Sequence, residues 1–477
     1  MSPEFPATGP LAMGFPPTGP SGGRTVPLWL DDPARPAARP ALDGDGEADL
    51  VVVGGGLTGL WAALSALETD PGRDVVVLEA ARLGWAASGR NGGFCAASLT
   101  HGLANGQRRW PRELPTLLRM GAENLDEIEE TVARLGIDAD FRRTGELTVA
   151  VEPWQVEALR GTCTLARGLG EEVQFLDEAG VRARVHSPTY LAGLWAPRST
   201  ALVNPARLTW GLAAAAERAG ARVHEGTRVQ AIQDDGDRVV LVTGSGRLRA
   251  RRVVVGTNVF PSPLRRVRPF VVPVWDHVLA TRPLTRQERA GLGWAGEEGV
   301  ADAGNRFHYY RLTADHRLLW GGYDAHYYFG SDLRARRSRH PVTEARLARH
   351  LRRTFPGLAQ VEFSHVWSGA IDTSTRFAPF WERAMGGKVV AVQGYTGLGV
   401  GSSRFGALVA LDLLDGRETA RTRLDLVRSR PVPFPPEPLR WAAIQATRRA
   451  SATADRNQGR RGPWLRTLDA LGLGFDS

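Results

Sequence analysis

Three glycines at fixed spacing, Gly54-Gly55-Gly56-Leu57-Thr58-Gly59, constrain this 477-residue chain more than any other feature. Before them, Asp49-Leu50-Val51-Val52-Val53 is short, apolar and unbroken, the pattern of a strand covered on both faces. After them, Leu60 to Leu67 suits a helix, Pro71-Gly72 ends it, and Asp74 to Glu79 is a second buried strand. Residues 49–79 are therefore expected to form one β-α-β unit of about 30 residues. In that setting the glycines have definite physical roles. Gly54 permits the tight turn, Gly56 lets the backbone approach a pyrophosphate, and Gly59 lets the helix lie close on the strand. The helix N-terminus offers N–H groups and partial positive charge to a diphosphate. Glu79, closing the second strand, suits a ribose 2′-hydroxyl and disfavours a 2′-phosphate, so a dinucleotide other than NADP is expected.

The same α/β character returns twice. Pro205 to Ala219 reads as an Ala-rich helix. Ala221 to Glu225, Arg228 to Gln233 and Val239 to Thr243 read as short strands, and Arg252 to Gly256 as a buried one. Farther on, Lys388 to Val392 is a strand, Gly394 to Gly401 a glycine-rich turn, and Ser402 to Leu414 a helix. The stretches between are strand-like and rich in aromatics. The expected fold class is α/β, α+β overall. A Rossmann-like dinucleotide domain (49–140, 201–261 and 371–416) is interleaved with a β-sheet-rich substrate domain (141–200 and 262–370). Residues 1–48 read as an extended arm whose Leu28, Trp29 and Leu30 pack on the body, and 417–477 as a basic tail.

Charge narrows the partners. The net charge is +9, but of 60 Lys and Arg residues only Lys388 is a lysine. That is arginine standing in for lysine throughout rather than a basic patch, and no nucleic-acid partner is expected. Two cysteines, Cys95 and Cys163, exclude a disulfide scaffold or zinc ribbon and fit a reducing compartment. The opening residues lack a signal peptide's basic start and apolar core. The longest apolar run, Val51 to Leu67, is too short and glycine-broken for a span of about 20 residues. A cytoplasmic protein with no membrane partner is expected, and no metal, since no clustered ligand spacing is present.

The sequence after Glu79 selects among dinucleotides. Glu79-Ala80-Ala81-Arg82-Leu83-Gly84-Trp85-Ala86-Ala87-Ser88-Gly89-Arg90-Asn91-Gly92-Gly93 resembles the FAD-dependent D-amino acid oxidase superfamily, which contains glycine and sarcosine oxidases. Within it, the stretch is most similar to the gamma-glutamylputrescine oxidase-like branch. The resemblance implies FAD, with Ser88, Gly89, Arg90, Asn91, Gly92 and Gly93 running along the diphosphate toward the flavin ring, downstream of Glu79, Ala80 and Arg82. It implies a backbone contact to adenine at Val229 and a second strand-to-turn contact at Thr257 and Asn258. It also places Gly394, Thr396, Gly397, Leu398, Gly399 and Val400 against the pyrimidine edge of the flavin. Backbone N–H groups and a helix N-terminus there favour the negative charge of the reduced ring. The resemblance runs from about residue 49 to 416, leaving arm and tail uncovered.

The activity so implied is oxidation of the C–N bond of a primary or secondary amine or amino acid to an imine, hydrolysed to a carbonyl product, with oxygen as acceptor. The alternatives are a flavin amine dehydrogenase using another acceptor, and a non-catalytic FAD-binding protein. Candidate substrate-wall residues are His308, Tyr309, Arg311 and Trp367, with the aromatic clusters at Trp275-Asp276-His277 and Trp320-Gly321-Gly322-Tyr323 beside them. His308 or His277 would deprotonate the amine; Arg311 or Arg376 would bind a carboxylate. Several members place a lysine near the flavin to assist oxygen reduction. Lys388 sits on a strand of the dinucleotide domain, so that role would fall to an arginine such as Arg268, to another group, or to none. No Cys or His stands in Ser88–Gly93, and the FAD is expected to be non-covalent. Nothing in the sequence names the amine or the oligomeric state.

Overall fold

The computed structural model describes residues 22–474, so the first 21 residues of the expected arm and the last three of the tail lie outside it. Gly46–Val53 is the first strand, Leu57–Thr69 the first helix and Val75–Leu78 the second strand. The two strands pair in parallel, Leu50 opposite Val75 and Val53 opposite Leu78. The first strand also pairs in parallel with Arg247–Val255, which pairs in parallel with Val389–Gln393. The sheet runs Phe380–Ala384, Val389–Gln393, Arg247–Val255, Gly46–Val53, Val75–Leu78, Arg222–His224, with the hairpin Ala231–Asp235/Arg238–Val242 joined to Arg247–Val255. The alternation of a pleated strand divides its core. Val52, Val75, Val77, Val254 and Val390 pack under the helices Leu57–Thr69, Pro205–Arg218 and Gly399–Leu414. Val51, Val53, Val76, Val253 and Val255 pack on the opposite face with Val239 and Leu241 of the hairpin.

Several boundaries differ from the expectation: the first strand begins at Gly46 rather than Asp49, the first helix at Leu57 rather than Leu60, and the strand expected from Arg252 at Arg247. The strand expected from Arg228 begins at Ala231, and residues 227–230 are irregular. The helix expected from Ser402 begins at Gly399. Its first turn crosses the small strand Phe94–Ala96 so closely that a Cβ at Gly401 would stand 2.1 Å from the Ala96 carbonyl oxygen. Glycine there reflects helix-on-strand contact, not a turn.

The second sheet runs Phe363–Thr373, Val272–Thr281, Leu318–Gly322, His308–Leu312, Gly299–Asp302, Glu146–Ala150, Ala192–Ala196, Gln174–Leu176. One face carries the helix Pro341–Thr354, whose Leu347 and Leu351 pack with Tyr310, Trp320 and Phe355. The other face looks toward the glycine-rich turns of the first sheet.

The segments flanking the family-like region are folded. In the arm, Trp29 and Leu30 are buried, and Trp29 Nε1 donates to the Asn91 carbonyl at 2.7 Å. Residues expected as a tail form the helices Leu439–Arg456 and Pro463–Ala470, joined where Trp464 Nε1 donates to Thr447 Oγ1 at 3.0 Å. Among the described residues, no helix is long and apolar enough to cross a membrane, and no group of three or more His, Cys, Asp or Glu could hold a metal ion.

Candidate active site

A continuous cavity of about 4250 Å³ is lined by residues of both sheets, well above the roughly 300–1,000 Å³ of a drug-sized ligand pocket. At one end lies the first glycine turn. Gly54 has φ +113°, and a Cβ on it would stand 2.5 Å from the Gly256 carbonyl oxygen. A Cβ at Gly59 would stand 2.0 Å from the Gly54 oxygen and 2.9 Å from Val52 Cγ1. Gly59 therefore sets how near the helix lies to the strand, while Gly54, Gly56, Leu57 and Thr58 line the cavity. The helix has no cap from Gly56; Ser88 Oγ accepts from the Leu57 amide at 3.1 Å instead.

Glu79 closes this end. Its Oε2 accepts from the Gly55 amide at 2.8 Å, and its Oε1 from the Ala81 amide at 2.8 Å and from Trp85 Nε1 at 3.1 Å. Burial pushes its pKa up against those bonds. A carboxylate has about four acceptor positions, so one is left for a further donor. Ala80, Arg82, Val229, Thr257 and Asn258 line the same end, joined by Arg35 of the arm. Arg90 Nε donates to the Trp85 carbonyl at 2.7 Å, and burial lowers its pKa to about 10, leaving it charged at neutral pH. Ser88, Asn91 and Gly92 line the wall beside Arg90, whereas Gly89 and Gly93 lie behind it.

The second glycine turn bounds the middle of the cavity. Asp372 accepts from the Gly394 amide at 2.7 Å and the Tyr395 amide at 3.3 Å, and burial raises its pKa to about 6. Thr58 Oγ1 donates to the Tyr395 hydroxyl at 2.9 Å, linking the two turns. Thr396, Gly397, Leu398, Gly399 and Val400 line the cavity, with Gly394 behind them. The helix Gly399–Leu414 has no side-chain cap either. Two helix N-termini thus open on one cavity, both favouring negative charge. Two buried oxygens of cavity residues, Asn258 Oδ1 and Ser403 Oγ, lack a hydrogen-bond partner among the described residues. Buried polar atoms are rarely left so, and a bound polar group would satisfy them. Cradle, charge and orphaned atoms together fit a dinucleotide.

Of the four substrate-wall candidates, the structure brings only Tyr309 to the cavity. Successive strand residues face opposite sides, so His308 and Tyr310 point to the helix layer while Tyr309 and Arg311 point inward. His308 is buried between Asp302, 2.6 Å from its Nδ1, and His350, 2.9 Å from its Nε2. Arg311 points inward but ends beneath the loop, donating from Nη1 to the carbonyls of Gly93 at 3.0 Å and Val203 at 2.7 Å. Trp367 Nε1 donates to the Arg90 carbonyl at 2.8 Å. Arg311 and Trp367 thus hold the 90–93 loop from behind. Arg376 donates to the carbonyls of Leu426 and Ser429 at 3.0 Å, so neither arginine presents a free fork to a carboxylate. His277 is fully buried, edge-on to His326 and His340, and burial lowers its pKa to about 3. Lys388 Nζ pairs with Asp234 at 2.6 Å, and Arg268 donates to the Ser262 carbonyl; neither lines the cavity.

The acidic partner of Tyr309 is Asp276. The Tyr309 hydroxyl donates to its Oδ2, both residues line the cavity, and burial raises the Asp276 pKa to about 6. A Cβ at Gly92 would stand 2.5 Å from Tyr309 Cε2, so this pair adjoins the 88–93 loop. The expected cluster Trp275-Asp276-His277 thus reaches the cavity through Trp275 and Asp276, and a carboxylate in the middle of the apolar run Val272–Thr281 singles out Asp276, because a buried charge needs a partner or a purpose. No comparable signal marked the unexpected wall residues His101, Arg35 and the helix Leu439–Arg456.

Residues 49–412 match the family described as FAD dependent oxidoreductase (DAO). The chain belongs to that family. It is 32% identical over 375 residues to the gamma-glutamylputrescine oxidoreductase of Escherichia coli (strain K12), covering 77% of this chain and 84% of that protein. It is 31% identical over 421 residues to a probable oxidoreductase OrdL of Rhizobium meliloti (strain 1021), covering 84% and 90%. Among solved structures, the glycine oxidase of Geobacillus kaustophilus superposes with a TM-score of 0.68 at 22% identity, covering 81% of this chain and 99% of that one. The resemblance drawn from Glu79–Gly93 and the two-sheet flavoenzyme fold therefore hold, and the chain is an FAD-dependent oxidoreductase.

Proposed function

We propose that this DAO-family enzyme oxidises a substrate amine at the carbon bearing nitrogen, giving an imine that water converts to a carbonyl compound and a free amine. The observation that carries this is the Asp276–Tyr309 pair on the cavity wall beside the loop expected to follow the flavin. Bound FAD would supply the two-electron acceptor. An amine must lose its ammonium proton before its C–H bond becomes a hydride donor. Asp276, with its pKa near 6, is a carboxylate at neutral pH and can hold that proton at Oδ2. Gly56, Leu57, Thr58 and Ser88 would hold the diphosphate, Glu79 the ribose, and Thr396–Val400 the electron-rich edge of the ring. Tyr309 and Tyr323, both on the wall, would bound the substrate chain. The relative's printed name suggests a gamma-glutamylated diamine as one amine to try.

Oxygen is the proposed acceptor. The position of Lys388, paired with Asp234 away from the cavity, favours the second reading, a dehydrogenase passing electrons to another acceptor. One experiment tests both. Anaerobic mixing with a panel of primary, secondary and carboxylated amines is expected to bleach the flavin with at least one of them; no bleaching with any would sink the amine-oxidation reading. Admitting air should restore the colour within seconds for an oxidase and over minutes for a dehydrogenase.

The FAD is proposed to be held without a covalent bond. Cys95, near the loop, is fully buried with its thiol pushed up to about 12, a poor nucleophile. Acid precipitation is expected to leave a colourless pellet and a yellow supernatant. A yellow pellet would overturn this and make His101, on the cavity wall, the first residue to examine. The buried free cysteines suit the proposed cytoplasmic location.

A further inference from the structure

The segment beyond the family region, which ends at residue 412, supplies part of the cavity wall. Helix Leu439–Arg456 lines the cavity over most of its length, with Ile444, Thr447, Arg448 and Ser451 along one side at i, i+3, i+4 and i+7 and Gln445, Arg449 and Ala452 beside them. It is tied to loops of the second sheet at both ends. Before its start, Glu437 accepts from the Tyr327 hydroxyl and from the Gly330 amide at 3.0 Å. Near its end, Asp455 accepts from Asn305 Nδ2 at 2.8 Å and Arg306 Nε at 3.2 Å. Midway, Gln445 Nε2 donates to the Tyr327 carbonyl at 3.1 Å. These directional contacts fix the inner face against the cavity.

Arg448 stands in the middle of that face. Its Nη1 donates to Gln445 Oε1 at 2.8 Å, and its Nη2 lies 3.3 Å from His326 Nδ1. Among the described residues, no carboxylate lies within ion-pair distance of its guanidinium. The neighbouring charges are otherwise engaged: Arg306 pairs with Asp455, and Asp324 is held by Arg346 and the Thr343 hydroxyl. The backbone of His326 exchanges hydrogen bonds of 2.8 and 3.0 Å with Trp275, the residue before Asp276. A guanidinium without a direct ion pair, with Asp324 the nearby opposite charge, therefore lines the cavity close to the strand position next to the proposed proton acceptor. Its planar fork matches a carboxylate.

We propose that helix Leu439–Arg456 completes the substrate pocket and that Arg448 binds a carboxylate carried by the amine substrate. This rests on the amine-oxidation reading, and its test uses binding rather than turnover. Butanoate and uncharged butanamide are titrated calorimetrically into the FAD-loaded full-length protein. Butanoate should bind the wild type. Arg448→Ala should weaken it about 10-fold or more, Arg448→Lys should recover part of the loss, and butanamide should be indifferent to both changes. Arg456→Ala, an exposed charge loss on the same helix, should match the wild type. Flavin content and thermal midpoint verify folding, and if Arg448→Ala does not fold, Arg448→Gln takes its place. Failure of butanoate to bind the wild type, or equal binding to Arg448→Ala, would overturn the proposal. Should no amine bleach the flavin while butanoate binding still depends on Arg448, the amine reading falls and the carboxylate site stands.

Discussion

Asp276→Asn is expected to slow anaerobic flavin reduction by roughly 10²–10⁴-fold, the usual weight of a positioned general base, and to remove one limb of its pH dependence. Asp276 lies in the middle of the strand Val272–Thr281, on the side that faces Tyr309 and the cavity. Burial is the largest influence on its carboxyl and raises the pKa to about 6, while the Tyr309 hydroxyl, two backbone amides and nearby His308 pull it down. A raised pKa means the group is protonated below about 6 and accepts a proton only above it. Reduction by a neutral-to-basic amine should therefore accelerate as pH climbs through about 6 and level off from this group's standpoint above it. Asparagine does not titrate, so its profile should lack that limb. Tyr309→Phe removes a bond that favours the carboxylate and should move the limb to higher pH. Stopped-flow reduction over a pH series reads all three. A wild-type profile without the limb, or an asparagine variant that keeps it, would remove Asp276 from the reaction.

Gly59→Val is expected to yield protein without FAD, or no folded protein. The Cβ would sit 2.0 Å from the Gly54 carbonyl oxygen and 2.9 Å from Val52 Cγ1, and neither the backbone turn nor a fully buried strand residue can yield. Relief requires the helix Leu57–Thr69 to move off the strand, which takes its N-terminal amides away from the diphosphate position. Overpacking of this kind costs roughly 1–3 kcal/mol in ordinary cores; a contact against backbone should exceed that. The absorbance ratio of flavin to protein and the thermal midpoint report the outcome. A variant with full flavin content and a wild-type midpoint would mean that the close approach is dispensable.

These two sites differ in how visible they were before folding. The stretch from Asp49 to Gly93 was legible because its requirements are local. A β-branched run, a glycine that must take φ +113°, a glycine whose Cβ has no room, and an acid one strand later are all set by covalent geometry within about 30 residues. The same holds for Gly394–Gly401, where only the helix start was misplaced, since Gly401 serves a crossing with Phe94–Ala96 that lies far away in sequence. His308 and Arg311 were drawn toward the substrate because their neighbourhood is aromatic and basic, and Trp367 because Trp367-Ser368-Gly369 resembles a family segment near the ring, yet each faces a helix layer or the back of a loop. On a strand, one residue of register decides between cavity and core, and residue type does not reveal it. Asp276 was named within the cluster Trp275-Asp276-His277, where His277 and not the carboxylate was taken as the base.

By itself, then, the sequence determined the β-α-β dinucleotide cradle, because backbone sterics and helix-end electrostatics act over a few residues, while FAD and the family followed from the resemblance carried by Glu79–Gly93. Which of the candidates reach the substrate wall was decided by tertiary structure: which face of His308–Leu312 and Val272–Thr281 looks inward, and the return of Leu439–Arg456 to the cavity after the family region has ended. Those choices depend on strand pairing and on hydrogen bonds such as Asp455 to Asn305, made between residues far apart along the chain, and no local propensity encodes them.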